Sequence, residues 1–129
     1  MVESRRNSIA VGARGYGARV ELSEYADRID HISAGYSRAY DVDRTPEWVL
    51  LKLTEEVGEL AQAWLTASGQ GRDRGLDDQQ KEQALAAEWA DAIGMLLVFA
   101  RRTGIDVDRA IADKWLHWES VHGAAGQAR

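Results

Sequence analysis

The chain of 129 residues has no cysteine and only one proline. Without cysteine, neither a disulfide framework nor a thiolate zinc site can form, and a reducing, cytoplasmic setting is expected. Long apolar runs are missing as well. The longest, Ala92 to Ala100 with Gly94 inside it, falls far short of the ~20 residues that span a bilayer, so no membrane association is expected. Arg5 and Arg6 are followed by no apolar stretch, which argues against a secretory leader. Strand-like alternation is scarce throughout. The length suits one domain with a real core, though one small enough to benefit from oligomerisation.

Charge is unevenly spread. Residues 1–20 hold Arg5, Arg6, Arg14 and Arg19 against Glu3, a net +3, which leaves −8 for the remainder of a chain whose total is −5. An acidic body argues against nucleic acid as the main ligand. The basic start, with Val11-Gly-Ala-Arg-Gly-Tyr-Gly17 inside it, reads as a flexible tail over residues 1–20. A helical domain is expected over 21–122 and a second tail over 123–129.

Helix punctuation is clear. A first helix is predicted from Ser23 as N-cap to about Tyr40, with Leu22, Tyr25, Ile29, Ile32 and Tyr36 at helical spacing. Thr45-Pro46-Glu47 opens a second with an N-cap, a proline at the first position and a dipole-favoured acid, and it runs to about Ser68 before Gly69. The stretch Gly69 to Gly75 is a flexible, charged loop. Asp77 with Gln80 resembles a capping box that starts a third helix, reaching about Thr103 before Gly104. Asp106 caps a fourth, about Val107 to Val121. The fold class is therefore all-α, a four-helix, bundle-like domain completed by oligomerisation.

What stands out in that frame is acidic. Glu56-x-x-Glu59 and Glu88-x-x-Asp91 each place two carboxylates on one helix face. On a wheel advancing about 100° per residue, Glu88 has Phe99, Ala92 and Leu85 within about 60° on one side and Met95, Asp91 and Val98 within about 80° on the other. Glu56 sits likewise among Val49, Ala63, Leu60, Leu53 and Trp64, with Glu59 at the arc's edge and Lys52 between the two acids. The third helix looks apolar nearly all round, as a central or interface helix should.

An isolated E-x-x-E on an amphipathic helix is ordinarily a solvated face. Two such pairs, each inside an apolar arc, point instead to a cation that offsets the cost of crowding and burial. Di-iron carboxylate bundles use Glu-x-x-His, a pattern that His31, His117 and His122 do not complete. An all-oxygen donor set favours Mg²⁺, or Mn²⁺.

The strings Lys52-Leu-Thr-Glu-Glu-Val-Gly-Glu-Leu-Ala61, Glu88-Trp-Ala-Asp-Ala-Ile93 and Gly104-Ile-Asp106 resemble the MazG-like all-α nucleoside triphosphate pyrophosphohydrolases, whose pattern is E-E-x-x-E, a spacer, then E-x-x-D. Here 28 residues separate Glu59 from Glu88, and the likeness covers roughly Leu50 to Lys114. It implies that Glu56, Glu59, Glu88 and Asp91 ligate Mg²⁺. It also implies cleavage of a (d)NTP between the α- and β-phosphates, giving the monophosphate and pyrophosphate. Glu55 or one of the ligands would accept a proton from water, and Lys52 and Lys114 would contact phosphate. Where many members carry Asn, four residues after Lys114, this chain has Trp118.

Two alternatives stay open: a helical nucleotide-binding or interaction module without turnover, and a phosphoribosyl-ATP pyrophosphohydrolase. Val57-Gly58 between the glutamates is the MazG-like form. Among five tryptophans, Trp48, one turn before Lys52 on the acidic face, is the candidate for touching a base. Trp64 and Trp89 fall on apolar arcs and are expected to be structural, and Trp115 and Trp118 stay undecided. The partners expected are a nucleoside triphosphate and further copies of the chain, as a homodimer or homotetramer.

Overall fold

Thr45 and Asp77 begin their helices as their chemistry dictates. In the computed structural model, which describes residues 20–123, the Thr45 side chain accepts from the Trp48 amide and Pro46 opens α2 (Pro46–Ala67). Asp77 and Gln80 form a complete capping box ahead of α3 (Asp78–Thr103). Gly104 closes α3 in the left-handed region, at φ 73°, where a side chain would cost about 1–2 kcal/mol. Asp106 caps α4 (Val107–Trp115) through the Arg109 amide.

Two ends depart from the sequence reading. Helix α1 is Leu22–Tyr40, and its N-cap is Glu21, without a side-chain cap, rather than Ser23. The last helix keeps α geometry for only nine residues before a 3₁₀ turn, Leu116–Trp118, and a π-type turn, Glu119–Gly123. Along that tail Trp118 packs between the rings of His117 and His122. The expected terminal tails fall almost wholly outside the described residues. No strand occurs among the described residues, so the fold is all-α.

Helix α3 is the centre. It packs against α2 over a long seam and against α1. Glu88 meets Glu59 and Lys81 shares a cleft with Thr66, so α2 runs antiparallel to α3. Arg101 pairs with Asp27 at 2.7 Å and donates to the Ser23 carbonyl at 2.9 Å, while Gly94 lies against Ile29. Helix α1 is therefore antiparallel to α3 as well. Arg44, between α1 and α2, pairs with Asp30 Oδ1 in the middle of α1 at 2.7 Å, and its carbonyl accepts from Arg102 Nε near the end of α3 at 3.1 Å.

The core is thin. Ala26, Leu97, Ala100 and Val107 form one buried cluster, joined by Leu22, Ile29 and Ile93 at its edge. Val49 and Val98 are the large side chains that are fully buried. The apolar girth expected of α3 is not fully covered within one chain, which leaves Trp89 57% and Leu96 47% exposed. Trp64 is also exposed. The short α4 is the physical reason: it covers the C-terminal end of α3 around Val107 and leaves an apolar groove of about 500 Å³ between Trp89, Leu96 and Ile111. At 26 residues α3 is also long and apolar enough to cross a membrane. That property suits the middle helix of a bundle equally, and here Glu88 and Asp91 interrupt it midway, where a bilayer would make each charge expensive.

Candidate metal and phosphate site

Three of the four carboxylates converge. Glu56 and Glu59 lie one turn apart on α2 and Glu88 faces them from α3, each offering an oxygen within 4.8 Å of the other two. Glu88 Oε2 is shut off from solvent and has no hydrogen-bond donor. Asp91, one turn further along α3, is exposed and outside this tight group. Its charge still reaches Glu56 and Glu88.

The electrostatics follow from that crowding. Burial, then the charge of Asp91 and of Glu59, holds the Glu56 carboxyl above its ordinary pKa. Burial, then Glu59 and Asp91, does the same to Glu88. When all are ionised they are acceptors only, so Glu88 Oε2 stays unsatisfied. One proton shared with Glu59 would supply a donor. A cation would satisfy all three at once, and oxygen donors alone suit a hard divalent ion.

Two clefts flank the carboxylates. One, about 350 Å³, lies between α1 and α2 and brings Glu56 together with Lys52, Trp48, Tyr36, Ile32 and Met95. The other, about 230 Å³, follows the α2–α3 seam from Glu59 and Glu88 past Gln62 and Thr66 to Arg74 and Lys81. Lys52 Nζ holds Glu55 Oε2 at 2.6 Å on the outer turn, and this hydrogen bond is the main reason the ammonium pKa is raised.

Of the residues singled out in the sequence, Glu56, Glu59, Glu88, Lys52 and Trp48 are thus gathered, with Asp91 alongside. Glu55 is brought to Lys52 rather than to the carboxylate group. Lys114 is exposed on α4 and lines neither cleft. Tyr36, Met95, Arg74 and Lys81 had not been anticipated. For Lys81 a signal was present: it precedes Glu88 by seven residues, about 20° away on the wheel, so the two share a face.

Compared with models of known protein families, with curated proteins and with solved structures, the chain matches none.

Proposed function

We propose that the chain is a divalent-metal-dependent nucleoside triphosphate pyrophosphohydrolase, cleaving the α–β anhydride of a (d)NTP to the monophosphate and pyrophosphate, as its likeness to the MazG-like enzymes implies. The observation that carries the reading is the convergence of Glu56, Glu59 and Glu88 within 4.8 Å around a sealed, donorless Glu88 oxygen. Carboxylates so placed fit Mg²⁺ or Mn²⁺, held by Glu56, Glu59 and Glu88 with Asp91 at the rim. Such an ion supplies phosphate charge neutralisation and a lowered pKa for water at the site.

The chain's own groups do the remainder. Trp48 and Tyr36 line the α1–α2 cleft beside Glu56, and aromatic side chains there suit a base, which they would hold by stacking. Lys52, at the same cleft, presents an ammonium with three donors to a phosphate oxygen. Glu55 holds that ammonium in place at 2.6 Å, so it serves as a positioning residue, and its use as general base requires the pair to open. Glu56 shares that cleft with Lys52, so it stands, with Glu55, among the carboxylates placed to accept a proton from water.

The apolar groove beside Trp89 and Leu96 is where a second copy completes the bundle, giving a homodimer or homotetramer. Lys114, remote from both clefts on an α4 whose last turns are 3₁₀ and π, favours the second reading, nucleotide binding without turnover.

The deciding experiment is pyrophosphate release from a panel of canonical and damaged dNTPs with Mg²⁺, using wild type, Glu56→Gln and Asp91→Asn. Release by wild type, with a fall of about a hundredfold or more in Glu56→Gln, supports the hydrolase. Equal activity in all three proteins removes this site. Nucleotide binding by calorimetry without product selects the second reading.

A further inference from the structure

Lys114 is not positioned to hold phosphate, yet a triphosphate needs more cationic partners than Lys52, which is already tied to Glu55. The structure offers two others. Arg74 and Lys81 line the groove that starts at Glu59 and Glu88. The same groove continues past Thr66, Leu76 and Lys81 into a second hollow of about 350 Å³ under the α2–α3 loop, where Arg72 joins.

That loop is held by its own hydrogen bonds. The amides of Gln70 and Gly71 both donate to the Leu65 carbonyl at 2.9 Å, so the chain doubles back tightly on the end of α2. A side chain at Gly71 would begin only 3.3 Å from Leu65, so this close approach favours glycine. Asp73 Oδ1 then accepts from the Gly75 amide at 2.8 Å. Arg72 and Arg74 are thereby carried over the groove on a tethered turn.

These cations do not simply neutralise the acids beside them. Among the described residues neither Arg74 nor Lys81 pairs with Glu59 or Glu88, and the partner of Lys81 is Asp78 at 3.9 Å, the far limit of an ion pair. Glu88 Oε2 has no donor although two cationic side chains line its groove. Positive and negative walls face each other across open space, which suits a ligand that is anionic where it meets Arg74 and Lys81 and metal-bridged where it meets the carboxylates.

We infer that this groove is the seat of a condensed phosphate: Arg74 and Lys81 bind the β- and γ-phosphoryls of the substrate, which leave as pyrophosphate, on the side of the carboxylates opposite the Trp48 cleft. The inference rests on the pyrophosphohydrolase reading and extends it to residues on the loop and first turn of α3. The substrate then lies across the carboxylates, with its base toward α1 and its leaving group toward the α2–α3 loop. Arg74 presents a planar fork suited to two phosphate oxygens, and Lys81 a point charge.

The test is calorimetric titration of inorganic pyrophosphate, with Mg²⁺, into the full chain. The variants are Arg74→Gln, Lys81→Gln and, as a charge control on α4, Arg109→Gln, with folding of each checked by circular dichroism. Arg74→Gln and Lys81→Gln should each weaken pyrophosphate about tenfold. Deoxynucleoside monophosphate affinity should be unchanged, and Arg109→Gln should match wild type. Unchanged pyrophosphate affinity in Arg74→Gln and Lys81→Gln, or an equal loss in Arg109→Gln, overturns the groove while leaving the metal site standing. No pyrophosphate binding by wild type overturns it too, and pyrophosphate release from dNTP on the same sample then states separately whether the hydrolase reading survives.

Discussion

Replacing Glu88 by Gln should make the metal-free protein more stable. At 4.8 Å, the outer limit of the spacing among the three oxygens, two unit charges repel by about 3.5 kcal/mol at an effective dielectric near 20 and by about 0.9 kcal/mol in bulk water. Glu59 is exposed and Glu56 partly so, which places both repulsions toward the screened end. A neutral amide of the same shape removes both and can donate a hydrogen bond to a neighbouring carboxylate. The net gain is about 1–3 kcal/mol, or about 4–12 °C in Tm for a domain of this size.

Mg²⁺ should narrow that gap or reverse it. An ion at a hundred times its Kd stabilises the wild type by about 2.7 kcal/mol, and the variant, one ligand short, gains less. Thermal melts followed by circular dichroism, in EDTA and in millimolar Mg²⁺, read both effects. The pH dependence has a definite sign. Burial, then Glu59 and Asp91, raises the folded-state pKa of Glu88, so the folded chain binds that proton more tightly than the unfolded chain. Without metal, the group's destabilisation is absent below the unfolded carboxylate pKa and grows as pH rises through the folded value. The stability gap between Glu88→Gln and wild type should therefore widen from mildly acidic to neutral pH. A variant less stable than wild type in EDTA at neutral pH would refute the reasoning, because the ionised carboxylate would then have a protein donor.

Two further outcomes concern the scaffold. Arg44→Ala leaves the partly buried Asp30 carboxylate without its 2.7 Å partner and should cost about 2–3 kcal/mol in urea unfolding; a cost below about 0.5 kcal/mol would make the pair ornamental. Light scattering at micromolar concentration should give a multiple of the 14.3 kDa chain, with Leu96→Glu shifting it to a single chain. A wild-type monomer would remove the oligomer.

Much of the architecture was legible because the signals are local. Caps act within three residues, so Thr45, Asp77 and Asp106 marked their helices. Glu21 displaced Ser23 as the start of α1, since a residue able to cap does so only where the chain turns into the helix. The wheel put Glu56 and Glu88 inside apolar arcs, and both are partly buried. It also put Trp64 and Trp89 there, yet both stay exposed, because an arc says which side is apolar and not whether another helix arrives to cover it.

The sequence by itself determined four helices, the stops of the first three, and the two acidic pairs, since each depends on spacing along one helix. Only the tertiary structure decided which carboxylates meet. The antiparallel pairing of α2 and α3 sets Glu88 against Glu56 and Glu59 and leaves Asp91 at the rim. It also brings Lys81 and the loop residue Arg74 into one groove with Glu59 and Glu88, while Lys114 goes elsewhere. Contacts between helices depend on register and crossing across two chain segments, which no periodicity within one segment encodes.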